Sequence, residues 1–267
     1  MTPQFWLWLD TIGMALGAAA ILFLGKRRTA AEESHTIYHG IVPIIAAVSY
    51  LAMAAGQGAV PIATALLGDP AQGTDLVLTR TFYFARYIDW TFTTPLLLLP
   101  LALLAVHSRP RNLGLVAGLL LADLLMVLTA LFFGLSIAYW IKWTWFLVSC
   151  GAFAAVYWVM WVPLRQQVAL ERADVQASYR ANASILSVLW LIYPVILFLG
   201  TDGLGLFNET LSVALIAIVD FVSKVVYGLY TVRGFERIVD RDLSGRTAAA
   251  TAGTDTLPPT GVAPVTA

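Results

Sequence analysis

Two charged residues of opposite sign lie close together in a long apolar segment near the end of the chain. Asp220 and Lys224 are four residues apart, so on a helix they share one face. A lysine amine can condense with an aldehyde to form a Schiff base, and a carboxylate one turn away can balance the resulting cation. A purely structural ion pair is the alternative interpretation of the same spacing.

A second polar set lies in an earlier apolar segment. Arg86, Asp89 and Thr93 fall on one face of a helix, so both sets can point into one cavity. Four aromatic residues lie at a similar predicted depth and could wall a flat, conjugated ligand: Trp90, Trp145, Trp190 and Tyr193. Taken alone, such aromatic residues are more often ordinary helix packing.

The composition indicates a membrane protein. Of the 267 residues, 59% are hydrophobic and 12% are charged, which is far more apolar than a typical soluble domain. A net charge of +0 gives no basic surface for nucleic acid, and the single Cys150 excludes an internal disulfide. The N-terminal apolar run has no basic segment before it and no clear cleavage site, so we expect a retained first span.

Apolar runs separated by polar breaks predict an all-α bundle of seven transmembrane helices. The predicted helices span about 4–25, 36–57, 79–106, 113–133, 137–162, 182–200 and 209–232. The polar stretch 165–181 is helix-prone and should extend the fifth or sixth helix beyond the bilayer. We expect a membrane domain at 1–235 and a cytoplasmic, largely disordered tail at 236–267.

Basic residues concentrate in alternate loops and predict the orientation of the bundle. They are Lys26, Arg27, Arg28, Arg109, Arg111, Arg165, Arg172, Arg180, Arg233, Arg237, Arg241 and Arg246. The opposite loops carry mainly acidic residues, namely Asp69, Asp75, Asp202 and Glu209, with Arg80 and Lys142 nearby. The positive-inside rule therefore places the N-terminus outside and the C-terminus in the cytoplasm.

Several motifs together resemble the microbial rhodopsins, and most closely their bacteriorhodopsin type. They are RYIDWTFTTPLLLL at 86–99, DFVSK at 220–224, WLIYP at 190–194, VPIIAAVSYLAM at 42–53 and ADLLM at 122–126. The resemblance covers all of the chain except its tail. It implies a light-responsive membrane protein that carries all-trans retinal.

The resemblance also implies roles for the intramembrane charges. Lys224 would bind retinal covalently, Asp89 would accept the Schiff-base proton, and Asp220 would be the second counterion. Arg86 would gate the extracellular exit, and Thr93 would form a hydrogen bond near Asp89. The implied pocket consists of Tyr50, Trp90, Thr94, Leu97, Asp123, Met126, Trp145, Ser149, Phe153, Trp190, Tyr193, Pro194 and Ser223.

The sequence departs from the pump pattern where typical pumps keep a carboxyl proton donor. That position, eleven residues after Asp89, is Pro100, which cannot donate a proton. His39 is a candidate for the cytoplasmic relay, because the resemblance places it on the second helix facing the Pro100 region. The alternative is that His39 lies at the headgroup level beside His35 as a hydrated histidine without a special role.

The extracellular release group is also altered. Asp202 matches one acidic release position of the family, whereas the second falls on Ser212, with Glu209 one helical turn earlier. Phe146 occupies the position that is glycine in rhodopsins with a carotenoid antenna, so we expect retinal alone. Ser223 precedes the lysine and could pair with Tyr193, an arrangement similar to that of sensory rhodopsins.

These features predict a light-driven outward proton pump, with a sensory rhodopsin that signals through a transducer as the alternative. Asp89 disfavours chloride pumping, the absence of the family's Asn and Gln motif disfavours sodium pumping, and Asp220 disfavours inward proton pumping. A seven-helix receptor or transporter without retinal is the residual class. We expect no enzymatic activity, no metal site, a homo-oligomer (trimer or pentamer) and residence in the plasma membrane of a prokaryote.

Overall fold

The computed structural model describes residues 1–63, 79–108, 110 and 112–254. The loop residues Asp69, Asp75, Arg109 and Arg111 lie outside the described residues, as does the end of the chain from 255. The described elements are α1 (Pro3–Leu24), α2 (Ala30–Ala54), β1 (Val60–Ala63), β2 (Thr79–Phe82), α3 (Phe84–Leu104), α4 (Leu113–Leu135), α5 (Tyr139–Trp161), α6 (Pro163–Val168), α7 (Ala173–Leu199), α8 (Glu209–Phe221), a π-helical segment (Val222–Val226) and α9 (Tyr227–Thr254).

Seven helical stretches of the described chain are long and apolar enough to cross a membrane. The fifth stretch combines α5 with α6, and the seventh combines α8, the π segment and α9. Large apolar side chains cover the outside of the bundle, with Phe23 at 87% and Trp140 at 80% exposed. This pattern suits a hydrocarbon solvent and confirms the seven-helix, all-α prediction. The predicted orientation of the termini stays a prediction.

A two-stranded antiparallel hairpin lies at one end of the bundle, which we call the hairpin end. Residues Val60–Ala63 pair with Thr79–Phe82, with Val60 opposite Phe82. The prediction that the third helix begins at 79 was therefore wrong, because these residues belong to a strand and the helix starts at Phe84. Gly134 allows Phe82 to pack closely, because any Cβ at that position would collide with the phenyl ring.

The connection between the fifth and sixth spans is helical, as predicted. Pro163 begins the short helix α6, and α7 then starts at Ala173, nine residues before the apolar run itself. The second helix also starts earlier than predicted, because the Thr29 side chain accepts a hydrogen bond from the Glu32 amide at 3.1 Å and caps it. A prediction based on apolar runs does not include polar helix ends of this kind.

The last helix extends much further than the predicted end at 232. Helix α9 continues to Thr254, beyond the predicted end of the seventh span, and a largely disordered tail stays a prediction. Side-chain contacts to other elements hold the first part of this extension. His107 Nε2 lies 2.9 Å from Asp242, Arg172 donates to Asp242 at 2.5 Å, and Glu236 accepts from the Lys26 amide at 3.0 Å. The domain boundary at 235 and the cytoplasmic location of the tail stay predictions.

Candidate functional site

The two polar sets identified in the sequence meet inside the bundle. Lys224 lies in the π segment and is 2% exposed, while Asp89 on α3 and Asp220 on α8 are 0% exposed. The Lys224 Nζ donates a hydrogen bond to Asp89 Oδ2 and lies 3.3 Å from Asp220 Oδ1. A buried ammonium group is therefore held between two buried carboxylates, which compensates the cost of removing its charge from water.

Asp220 is surrounded by neutral hydrogen-bond donors. The hydroxyls of Tyr50 and Tyr193 donate to its carboxylate at 2.7 and 2.6 Å, and the Trp90 indole donates at 3.3 Å. Hydrogen bonds to a charged acceptor are stronger than neutral ones, so these donors stabilise the ionised form of Asp220.

Asp89 has a different environment. Thr93, one turn further along α3, donates to the backbone carbonyl of Asp89 at 2.9 Å. The second carboxylate oxygen, Asp89 Oδ1, is buried and has no hydrogen-bond partner within the described residues. The ionised form of Asp89 therefore depends mainly on its contact with Lys224.

An apolar pocket extends from Lys224 between the helices. Its lining includes Asp220 and eleven of the residues predicted for the retinal site, namely Trp90, Thr94, Leu97, Met126, Ser149, Phe153, Trp190, Tyr193, Pro194, Ser223 and Lys224. Six further residues complete the wall: Val127, Ala130, Phe133, Phe146, Cys150 and Leu197. Most of these six residues lie one to four positions from a predicted pocket residue on the same helix. The helical repeat applied to the predicted residues could therefore have predicted them.

Three predicted pocket residues do not line this pocket. Tyr50 contacts Asp220 instead, and Asp123 accepts a hydrogen bond from Thr94 at 2.8 Å behind the wall. Trp145 packs against Phe132 with ring centroids 5.0 Å apart. Tyr50 and Asp123 therefore support residues of the wall rather than forming its surface.

A small cavity at the hairpin end begins at Arg86. Its lining includes Tyr83, Asp202 and Ser212. Arg86 is 3% exposed, and its Nε and Nη2 atoms have no hydrogen-bond partner in the described part of the chain. Its guanidinium lies 5.4 Å from the centre of the Tyr83 ring.

Asp202 and Glu209, the two candidate release groups, have different partners. Asp202 is buried and forms an ion pair with Arg80. Burial raises the pKa of Asp202, while Arg80 and more weakly Arg86 act in the opposite direction. Glu209 does not line the cavity but accepts a hydrogen bond from the Tyr83 hydroxyl at 2.6 Å. The Arg80 pair was not predicted, because Arg80 was considered only as a basic residue near the acidic loops, at the start of the predicted third helix.

Two histidines lie buried at the end of the bundle opposite the hairpin. His39 is 1% and His35 is 7% exposed, and their ring centroids are 4.8 Å apart. His39 packs near Gly228, since a Cβ at Gly228 would lie 3.7 Å from the His39 Cβ, and Gly228 is one turn beyond Lys224. The alternative interpretation of His39 as a hydrated headgroup histidine does not fit this burial.

Asp10 on α1 is a buried acid beside the site that was not predicted from the sequence. It is 5% exposed, and Asp220, Lys224 and Asp89 are the charged groups that act on it. An aspartate within the apolar run of the first span was the available indication.

The fold and the site together define a class of protein: a seven-helix membrane protein with a buried lysine between two carboxylates at the end of an apolar pocket. The profile of a family described as "Bacteriorhodopsin-like protein" matches residues 1–237. The chain belongs to this bacteriorhodopsin-like family of microbial rhodopsins. Members of the family bind retinal through a lysine Schiff base.

Individual relatives agree with this assignment. Bacteriorhodopsin of Haloterrigena sp. (strain arg-4) is 34% identical over 233 residues, covering 85% of each chain. Archaerhodopsin-2 of Halobacterium sp. (strain aus-2) is 33% identical over 231 residues, covering 85% of this chain and 83% of the relative. Among solved structures, thermophilic rhodopsin from Rubrobacter xylanophilus is 33% identical with a TM-score of 0.75, covering 87% of this chain and 95% of its own. The light-driven proton pump LR (Mac) from Leptosphaeria maculans is 28% identical with a TM-score of 0.79, covering 88% and 95%.

The residues of the site fit retinal. A primary amine can condense with an aldehyde, and here it stands at the closed, charged end of a pocket whose other walls are apolar and aromatic. The two carboxylates can neutralise a protonated Schiff base, and the apolar walls suit a polyene chain.

Proposed function

We propose that this chain is a light-driven outward proton pump with retinal bound as a protonated Schiff base on Lys224. The observation that carries the proposal is the contact of Lys224 Nζ with two carboxylates that receive unequal support from their surroundings. The relatives support it, because solved neighbours are described as light-driven proton pumps.

The unequal support favours Asp89 as the proton acceptor. Retinal, when bound, supplies light absorption and an isomerisation that changes the position of the Lys224 nitrogen relative to its carboxylates. Asp220 keeps its three neutral donors whatever the nitrogen does, so its carboxylate stays stable. Asp89 Oδ1 has no partner among the described residues, so Asp89 gains most from taking the proton. The transfer moves one proton from nitrogen to Asp89 Oδ2 and leaves both groups neutral.

Release is proposed to proceed through the cavity at the hairpin end, which the predicted orientation makes extracellular. Arg86 lies between the acceptor and this cavity on the same helix, and its two unpartnered nitrogens can change partners when Asp89 becomes neutral. Asp202 lines the cavity, whereas Glu209 reaches it only through Tyr83. Asp202 is therefore the better candidate for the release group.

Reprotonation is proposed to come from the opposite, cytoplasmic end through His39. Pro100 is buried where a carboxyl donor is expected, and proline has no proton to give. His39 is buried against Gly228, which lies one turn beyond Lys224, and its Nδ1 has no partner within the described residues. An imidazole has a ring nitrogen that can take up a proton and pass it on, which a proline lacks.

A sensory rhodopsin is the second candidate, and one contact favours it. The hydroxyls of Tyr193 and Ser223 lie 3.0 Å apart, as expected from the resemblance to sensory rhodopsins. A photoreceptor with slow reprotonation would keep its deprotonated state long enough to signal through a transducer.

Light-driven transport distinguishes the two candidates. Cells expressing the chain with retinal should acidify an unbuffered medium under illumination, and a protonophore should abolish the acidification. Lys224→Ala is the control, because it removes the attachment amine and should give neither pigment nor pH change. A visible pigment without any pH change would reject the pump in favour of the sensor, and the absence of a pigment would reject both.

A further inference from the structure

A second buried histidine, His35, lies beside His39 and has no role in the mechanism described above. The two residues are four apart on α2, so they share one face of the helix on successive turns. Their ring centroids are 4.8 Å apart, which brings the edges of the two rings into contact. His35 Nε2 and His39 Nδ1 are both buried and have no hydrogen-bond partner among the residues that the structure describes. Two rings in contact therefore each keep a free nitrogen.

His35 is the outer member of this pair. His39 packs against Gly228, one turn beyond Lys224, whereas His35 lies one turn nearer the end of the bundle opposite the hairpin. Four residues of helix correspond to about 6 Å along its axis. A proton that moves inward from that end therefore reaches His35 before His39.

An aromatic ring separates His35 from a third histidine. Phe235 on α9 stacks on the His35 imidazole, with centroids 4.4 Å apart and an angle of 10° between the planes. The same phenyl ring contacts His107 edge-on, with centroids 5.9 Å apart. Phe235 therefore lies between one buried histidine and one at the end of α3.

The third histidine has a wetter environment than the first two. The side chain of His107 is 16% exposed, and its Nε2 lies 2.9 Å from Asp242, which is 25% exposed. Asp242 also accepts from Arg172, which is 45% exposed. His35 and His39, by contrast, are 7% and 1% exposed. Water can reach the group around His107, whereas the phenyl ring shields the buried pair.

The acids nearest the histidine pair have other partners. Glu32, one turn earlier on α2, accepts hydrogen bonds from the Arg28 side chain. Glu236 on α9 accepts from the Lys26 amide and from the Arg233 side chain. Ion pairs with these two carboxylates therefore do not account for the burial of two imidazoles side by side.

We propose that His35 passes protons to His39, and that the Phe235 ring closes this pair off from water until it moves aside. A proton from water adds to a nitrogen of His35. An N–H bond of the protonated His35 then breaks as an N–H bond forms on His39, so the positive charge moves one turn inward. The relay rests on the proposed function of His39, whereas the barrier does not.

Chemical modification of the purified full-length protein in the dark tests the barrier. Diethyl pyrocarbonate reacts with imidazole nitrogens that solvent reaches, and mass spectrometry of fragments reports each histidine separately. In the wild type, His107 should react and His35 should stay protected. Phe235→Ala should raise the modification of His35 to the level of His107, and the milder Phe235→Leu should raise it less.

Phe82→Ala is the matched control for this experiment. Phe82 is a fully buried phenylalanine at the hairpin end, so its loss should leave His35 protected. Continued protection of His35 in Phe235→Ala would overturn the barrier. Modification of His35 in the wild type at the rate of His107, or its appearance in Phe82→Ala, would overturn it as well.

Flash spectroscopy of the retinal-supplied protein tests the relay. His35→Phe keeps a flat ring to stack on Phe235 but cannot carry a proton, so reprotonation of the Schiff base should slow by at least about tenfold. External azide should partly restore the rate. His107→Phe is the matched control, because it makes the same replacement on the other side of Phe235 and should decay like the wild type. An unchanged decay in His35→Phe, or a slowing that azide does not relieve, would refute the relay.

A double variant separates failure of this inference from failure of the proposed function. If the two histidines act in series, His35→Phe combined with His39→Ala should be no slower than His39→Ala alone, and multiplied effects would contradict the series. A slow His39→Ala beside a normal His35→Phe would reject only the relay through His35. A normal His39→Ala would reject the proposed reprotonation route and the relay with it. The modification experiment needs neither retinal nor transport, so it decides the barrier in every case.

Discussion

The pairing of Lys224 with Asp89 leads to a quantitative prediction for Asp89→Asn. In the proposed pigment, the nitrogen of Lys224 is a cation in direct contact with Asp89, while Asp220 lies 3.3 Å away. Two unit charges about 4 Å apart interact by about 4 kcal/mol at an effective dielectric constant of about 20. Since about 1.4 kcal/mol corresponds to one pH unit, the variant should lose its Schiff-base proton roughly 3 pH units lower than the wild type.

The assay is a titration of the dark pigment with base. Loss of the Schiff-base proton moves the absorption from the visible to the near ultraviolet, so the midpoint is read directly. Asp89→Asn should also shift the visible band to the red and abolish light-driven acidification. Glu236→Gln is the control, because it removes a buried acid whose partners are Lys26 and Arg233, far from the lysine, and should leave the midpoint unchanged. A midpoint in Asp89→Asn equal to that of the wild type would refute the assignment of Asp89 as the main counterion.

Three further predictions test other parts of the mechanism. His39→Ala should slow reprotonation of the Schiff base on the order of 100-fold, with external azide partly restoring it; an unchanged decay in flash spectroscopy would remove this residue from the pathway. Arg80→Gln removes the cation that lowers the pKa of Asp202, so the pKa of Asp202 should rise further. Proton release, followed with a pH dye, should then need a more alkaline medium than in the wild type. An identical pH profile would argue against Asp202 as the release group. Gly17→Ala places a methyl group against a valine of the π segment and should cost about 1–3 kcal/mol, seen as faster thermal bleaching, whereas Gly118→Ala, where a Cβ meets nothing within 4 Å, should bleach like the wild type.

The sequence was sufficient to predict the seven spans, because a membrane imposes length and hydropathy on each of them. The prediction from the sequence was wrong where polar residues continue a helix beyond its apolar part, and where a strand occupies residues that were predicted to be helical. Helix α7 starts at Ala173 within a polar stretch, and Thr79–Phe82 forms a strand only because Val60–Ala63 lies beside it. Strand pairing and contacts of a polar helix depend on partners distant in the chain, which a local pattern does not contain.

The central residues of the site were predictable because ionisable groups within apolar spans are few. The spacing of Asp220 and Lys224 and the motif around Asp89 placed all three in one cavity. Asp10 escaped notice although its type and setting were equally unusual. Its place beside the site follows from the packing of α1 against α2 and α8 rather than from a spacing within one helix.

The unequal roles of the two carboxylates depend on the structure around them rather than on their distance from the lysine alone. Both acids are fully buried and both pair with Lys224, so burial and charge make them nearly equivalent. Tyr50 and Tyr193 donate to Asp220 from two other helices, whereas Asp89 has the Lys224 amine on its Oδ2, the Thr93 hydroxyl on its own helix, and no partner for its Oδ1 in the described residues. A carboxylate that keeps its donors remains a stable anion when the cation moves, whereas one that relied on the cation becomes the better base. The direction of the first proton transfer is therefore set by hydrogen bonds between helices, and substitutions of these donors should redirect the proton between the two acids without moving the lysine.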